Sequence, residues 1–347
     1  MNKLLSVEFA VVVLLLVATI FIRVGVLNTS AVPEEPALST EPSAESKPPE
    51  ETTAPPSSDP TTEPEPTEPP ESPIKLTFGE DFTLESRDYF VYDCAEENLM
   101  AISPDGLDEK VYPASVTKLY TAYVALQYLD PDTVVTLGRE VYMVGEGSSL
   151  AGVKPKQRIS VAELVEALLL PSGNDAAYGI AVAAAEAKTG DSSMDPEKAL
   201  DYFVEMMNDT AQTLGMTGSH FANPDGYHDP DHYTSCADLI TIAKLALSND
   251  LIRTSAGKYE RIIKFSNGET AVWDNTNALI NPESQYYHAD AIGLKTGHTS
   301  AAGFCVLTAF ELEGEYIIIG TFGCQRPEDR FIDAVKLYEL AAAAKTE

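Results

Sequence analysis

Residues 112–126 read YPASVTKLYTAYVAL, and the placing of two polar side chains in this stretch decides how the chain is read. Apolar residues recur at helical spacing from here on, which predicts a helix from Ser115 to Leu129, closed by Asp130-Pro131. Lys118 sits at the head of that helix, where the positive end of the macrodipole disfavours a cation. Ser115 and Lys118 are three residues apart and emerge on one face, a single turn from each other. A serine hydroxyl is a weak nucleophile until a base adjoins it. A lysine serves as that base only when burial or neighbouring positive charge lowers its pKa. The free N–H groups of a helix start would also suit a developing oxyanion beside the serine. The spacing alone is common, and a first-turn serine followed by a surface lysine gives the same string.

Two further stretches bear on the choice. Ser160-Val161-Ala162-Glu163 is a capping box opening a helix that reaches Leu170, and Pro171-Ser172-Gly173 breaks it before another helix starts near Asn174. A loop tip there places Ser172 to relay a proton and Asn174 to hold a peptide backbone or Lys118; as a bland alternative, Asn174 is an ordinary helix cap. Lys295-Thr296-Gly297 is expected to end a strand running from Ile292, just before His298. Lys295 would attract a carboxylate and help depress the pKa of Lys118, Thr296 would bind the same carboxylate, and Gly297 would let substrate backbone pass close. Each motif alone decides nothing. In this order, S-x-x-K, S-x-N and K-T-G form the signature of penicillin-binding proteins and class A β-lactamases.

The sequence resembles the low-molecular-weight penicillin-binding proteins, specifically the serine D-alanyl-D-alanine carboxypeptidases. The resemblance is carried by YPASVTKL, LLLPSGNDAA, FANPDGYHDPDHYTSCADL and GLKTGHTSAAGFCVL, and covers approximately residues 80–345. It implies an α/β (α+β) transpeptidase fold, with an antiparallel sheet flanked by helices and an all-helical lobe. It implies Ser115 as the acylated nucleophile, Lys118 as its base and Ser172 as the shuttle toward the leaving D-alanine. Asn174 would position substrate and Lys118, while Lys295 and Thr296 would hold the terminal carboxylate of a stem peptide or a penicillin. The oxyanion hole would be built from the backbone N–H groups of Ser115 and of His298, the residue after Gly297, with no role for the His298 ring. No cofactor is implied. The centre is S-G-N rather than S-D-N, and no E-x-x-L-N string lies between residues 174 and 295, so β-lactams are expected as slow-leaving covalent inhibitors. The reaction implied is removal of the terminal D-alanine from peptidoglycan stem pentapeptides. An endopeptidase acting on cross-links would use the same residues, and a non-catalytic penicillin-binding sensor or a β-lactamase are the remaining relatives of this reading.

The elements around the motifs suit one domain. Strands are expected at 89–93 and 98–103, helices at 195–213 and from Ser235 to near Ser248, strands at 259–265, 271–274, 302–312 and 316–322, and a terminal helix at 328–344. Strands from both ends imply a single sheet assembled from the termini, with a helical insertion between and a cleft at the junction.

The N-terminal part has a different composition. Phe9 to Ile22 is an uncharged run of 14 apolar or small residues followed by Arg23, short for a full span and suited to a signal-peptide core. It extends to a retained anchor if Arg23 snorkels. Residues 31–73 hold 13 of the 23 prolines and 11 acidic residues, a composition for an extended, self-repelling spacer. The expected layout is therefore a signal peptide or membrane anchor at 1–30, a spacer at 31–75 and a peptidase domain at 76–347, on the outer face of the cytoplasmic membrane or in the cell wall. Many carboxypeptidases of this type carry a C-terminal β-domain and an anchor helix, so tethering here would fall to the N-terminal segment. Removing 12 of 54 acidic and 3 of 23 basic residues with positions 1–73 leaves 42 against 20, which argues against nucleic acid as a partner.

Cys94, Cys236, Cys305 and Cys324 lie far apart. Isolated buried thiols are expected, with a bridge from Cys305 or Cys94 to Cys324 as the alternative. His228 and His232 in HDPDH invite a zinc reading, but Pro230 argues against the helix this spacing needs, and a loop-packing role is the expectation.

Overall fold

The computed structural model describes residues 74–265 and 267–346. The apolar segment at 9–22 and the spacer at 31–73 lie outside the described residues. Among those described, no helix is long and apolar enough to cross a membrane.

The centre is a five-stranded antiparallel sheet. Its strands are β1 (Asp88–Asp93), β2 (Asn98–Ile102), β9 (Ala291–Thr299), β10 (Gly303–Leu312) and β11 (Glu315–Cys324), in the order β2-β1-β11-β10-β9. β1 pairs with β11 from Asp88 opposite Phe322 to Asp93 opposite Ile317, so the sheet is closed by strands from the two ends of the domain, as the sequence implies. β11 reads EYIIIGTFGC and is apolar on both faces, because both faces are covered. Ile317 and Ile319 pack with Val91, Val306 and Phe310 under the terminal helix α7 (Asp329–Thr346), through its Phe331, Leu337 and Tyr338. Ile318 and Phe322 face the opposite way, into the larger core shared with the helical lobe.

That lobe carries α1 (Thr117–Ala125), α2 (Val161–Leu169), α3 (Asn174–Thr189), α4 (Pro196–Thr213), α5 (Cys236–Ser248) and α6 (Asp250–Ala256). Its helix starts follow local chemistry. Ser160 and Glu163 form the reciprocal capping box of α2. Asp195 caps α4 with Pro196 in its first turn, and Ser235 caps α5 by accepting from the Asp238 N–H. The expected helix at 115–129 is shorter: a 3₁₀ turn at Ala114–Val116 leads into α1, which ends at Ala125. Four short strands complete the fold in their own pairs: β3 (Lys110–Val111) with β6 (Thr234–Ser235), and β4 (Val134–Thr136) with β5 (Arg158–Ser160). A hairpin of β7 (Glu260–Lys264) and β8 (Thr270–Asp274) stands apart from the main sheet.

All four cysteines are free. Cys236, Cys305 and Cys324 are buried and Cys94 is half-buried, so the isolated-thiol expectation describes three of them, and neither bridge to Cys324 is formed.

Candidate active site

The three motifs converge from three elements. Ser115 lies in the 3₁₀ turn before α1 and is partly exposed, whereas Lys118 one turn on is fully buried. Lys118 Nζ is 2.8 Å from Ser115 Oγ and donates to the Asp225 carbonyl at 2.6 Å. It makes no ion pair within 4 Å among the described residues. Burial is the main force on it and pulls its pKa down to about 8, while the carboxylates of Asp225 and Asp175 oppose that at longer range.

Ser172 and Asn174 come from the break between α2 and α3. Asn174 is the first residue of α3 rather than its cap, since the cap position is Gly173. Its N–H donates to the Ser149 carbonyl at 2.8 Å and its Nδ2 to Ser148 Oγ at 2.8 Å, while its Oδ1 is buried without a partner. No hydrogen bond joins Asn174 or the Ser172 hydroxyl to Lys118 among the described residues.

Lys295, Thr296 and Gly297 lie in the middle of edge strand β9, not at its end, because β9 runs on through His298 to Thr299. Lys295 is buried, with Nζ donating to the Thr296 carbonyl at 3.1 Å and to Thr276 Oγ1 at 3.4 Å. Burial, then Lys118, then Arg330 push its pKa well below the ordinary lysine range. The hydroxyls of Thr296 and Thr276 are 2.6 Å apart. Gly297 is where β9 touches the nucleophile's turn: a Cβ there would lie 2.8 Å from the Pro113 carbonyl oxygen and 3.2 Å from Ser115 N. Only glycine permits that approach without a shift. His298 is exposed, and its ring stacks on Phe304 with centroids 4.0 Å apart.

Each motif is flanked by left-handed backbone on a residue other than glycine. Ala114 (φ 47°) precedes Ser115, Ser172 itself has φ 61°, and Leu294 (φ 73°) precedes Lys295. Such positions each cost on the order of 1–3 kcal/mol and persist where the surroundings over-determine them. A cleft of about 420 Å³ is lined by Ser115 of the first motif, Asn174 of the second, and His298 and Thr299 just after the third, together with Ser148 and Tyr227 among others. A larger cavity of about 640 Å³ beside Leu137, Gly179 and Val182 holds none of the motif residues.

Sequence reading missed several contributors. Asp225 acts through its main-chain oxygen, which carries no side-chain signature, although the Pro224-Asp225-Gly226 turn lay in a stretch that resembled the family. Arg330 of α7 donates from Nη1 to the carbonyls of Gly297 (3.1 Å) and Cys305 (3.4 Å), adding a third cation beside β9. Asp175 locks a loop by accepting from Ala151, Gly152 and Val153 N–H. Of the histidines weighed for zinc, His228 packs edge-on against Tyr112, and His232 bonds Thr117 in the interior.

A sheet closed from both ends, a helical lobe and a serine–lysine pair facing an edge strand define the architecture of the DD-peptidases. The DD-transpeptidase of Streptomyces K15 superposes with a TM-score of 0.67 at 27% identity, covering 75% of this chain and 98% of that one. DacD of Francisella tularensis, at 23% identity and a TM-score of 0.64, shares the fold, over 78% of this chain and 73% of that one. The D-alanyl-D-alanine carboxypeptidase family model matches residues 79–324, and the chain belongs to that family. Among its relatives, the D-alanyl-D-alanine carboxypeptidase DacF of Bacillus subtilis is 28% identical over 239 residues, 67% of this chain and 57% of DacF. DacD of Escherichia coli K12 is 34% identical over 238 residues, 65% of this chain and 55% of DacD. The chain thus spans somewhat over half the length of these curated relatives.

Proposed function

We propose that the protein is a serine D-Ala-D-Ala carboxypeptidase that trims the terminal D-alanine from peptidoglycan stem pentapeptides, held at the outer face of the cytoplasmic membrane by its N-terminal segment. The observation that carries this reading is the Ser115–Lys118 pair: a hydroxyl 2.8 Å from a buried amine whose pKa is drawn down to about 8. Near neutral pH an appreciable fraction of such an amine is unprotonated and able to take the hydroxyl proton.

The steps we propose use these positions as the family resemblance implies. Ser115 Oγ attacks the carbonyl of the penultimate D-alanine while Lys118 accepts its proton. The oxyanion is met by the N–H groups of Ser115 and His298, at the point where Gly297 brings β9 against the turn. The C–N bond breaks, the proton taken by Lys118 is relayed through the Ser172 hydroxyl to the leaving amine, and D-alanine departs. Water then hydrolyses the ester. Lys295 and Thr296 hold the terminal carboxylate, which supplies the counter-charge that Lys295 lacks, and Asn174 orients the peptide backbone. Penicillins carry an equivalent carboxylate and acyl carbonyl, so they acylate Ser115 and block the site.

The test is D-alanine release from a soluble pentapeptide ending in D-Ala-D-Ala by the full-length chain, with Ser115→Ala beside it. Release by the wild type and its loss in Ser115→Ala is the expected outcome. Equal release by both would overturn the assignment of the nucleophile. No release from a wild type that still binds penicillin at Ser115 would replace the carboxypeptidase with a cross-link endopeptidase or a sensor.

A further inference from the structure

The backbone carrying Ser115 is held by a hydrogen-bonded chain that begins outside the three motifs. Ala114, immediately before Ser115, is buried in the left-handed region, where an L-residue's Cβ crowds the carbonyl that follows. Its carbonyl accepts the Thr117 hydroxyl at 2.8 Å. Because the Thr117 proton is committed there, its oxygen is left to accept, and His232 Nε2 stands 2.8 Å from it. The other ring nitrogen fixes the tautomer: His232 Nδ1 receives the Ala222 N–H at 3.2 Å, so Nε2 carries the proton and donates to Thr117. Every bond in the run from Ala222 through His232 and Thr117 to Ala114 therefore has one direction.

The ring is well enclosed for this task. His232 is 3% exposed, meets Phe221 edge-on, and is kept neutral by burial, which pulls its pKa down to about 3. Gly226 lies against the Ala114 carbonyl, where a Cβ would fall 1.9 Å from its oxygen. The ring makes no hydrogen bond to Ser115 or Lys118, so it is not a catalytic residue.

We propose that His232 and Thr117 are positioning residues: acting through Thr117, His232 clamps the left-handed backbone of Ala114 and thereby aims Ser115 Oγ at Lys118. This rests on Ser115 being the acylated residue. The clamp governs the rate at which a correctly folded site is acylated, whereas a histidine that merely fills the interior would govern how many molecules are folded.

The experiment separates the two. Full-length wild type, His232→Leu, His232→Gln, Thr117→Val and the His232→Leu/Thr117→Val double are reacted with a fluorescent penicillin, and the rate constant and final label per protein are read independently. With the nucleophile misaimed, His232→Leu and Thr117→Val are each expected to acylate about 30-fold slower at undiminished final label. His232→Gln can accept from Ala222 and donate to Thr117, and is expected within about threefold of wild type. The double variant should be no slower than the worse single, as two links of one chain require. Wild-type rates with reduced label, unchanged rates, multiplying effects, or a His232→Gln as slow as His232→Leu would each overturn the clamp. Should His232→Leu not fold, Thr117→Val alone decides by the same rate criterion. A wild type that takes no label at Ser115 would sink the functional assignment itself, a result distinct from labelled wild type with unaffected variants.

Discussion

Asp175 and the lysine pair Lys118 and Lys295 are buried ions solved in opposite ways. Asp175 Oδ1 accepts from Ala151 and Ala176 N–H, and Oδ2 from Gly152 and Val153 N–H. Four donors surround one carboxylate, and they pull back a pKa that burial pushes up. The two lysines have neutral oxygens for hydrogen-bond partners: the Asp225 carbonyl and the Ser115 hydroxyl for one, the Thr296 carbonyl and the Thr276 hydroxyl for the other. A buried charge with a full set of partners costs little stability, whereas one left short of partners costs more. The carboxylate holds a loop by its four donors, and under the proposed function the two amines would be the base and the partner of the substrate's carboxylate.

The largest effect expected from this contrast is on rate. Lys118→Met should lower the acylation rate constant for penicillin by about 10³-fold while leaving the melting temperature unchanged or higher, because a desolvated amine is replaced by an apolar chain of similar length. A marked loss of stability would break the comparison. Asp175→Ala should do the reverse: it orphans four N–H donors and should cost about 3 kcal/mol in urea unfolding, with acylation per folded molecule changed less than tenfold. A third test sharpens the contrast through pH. As the proposed base, Lys118 would act in its neutral form, so below its pKa of about 8 the acylation rate should fall roughly tenfold for each pH unit. The measurement is the pH profile of acylation between pH 6 and 10, and a limb at 10 or above would mean that Lys118 is solvated and not a desolvated base.

The sheet assembled from both ends and the three motifs were legible because apolar periodicity and the spacing of Ser115 to Lys118 are side-chain patterns, while its antiparallel order was implied by the family resemblance. Helix starts at Ser160, Asp195 and Ser235 were legible for the same reason, each being a cap whose side chain bonds its own neighbours. The end of β9 was misplaced because Gly297 reads as a turn residue. Its reason is close contact with Pro113 and Ser115, nearly two hundred residues earlier in the chain, and this only the assembled fold reveals. The Asp225 carbonyl on Lys118 is a main-chain group, and Arg330 reaches β9 from the far end of the domain, so neither had a local signal. His232 was read as a packing residue of its loop; its bonds to the Thr117 hydroxyl and the Ala222 N–H had no signal in the sequence.

The pairing of β1 with β11 also orders events in time. Asp88 meets Phe322, so the first strand of the domain must wait for nearly the whole remainder to be synthesised before it finds its partner. The helical lobe, rich in near-neighbour contacts, can condense while β9, β10 and β11 are still unmade. Ser115 then exists on a formed helix start well before Gly297 arrives to complete its surroundings. Under the proposed function, competence for acylation would be a terminal step of biogenesis, and covalent labelling by a penicillin would count finished chains and pass over those interrupted before their last sixty residues.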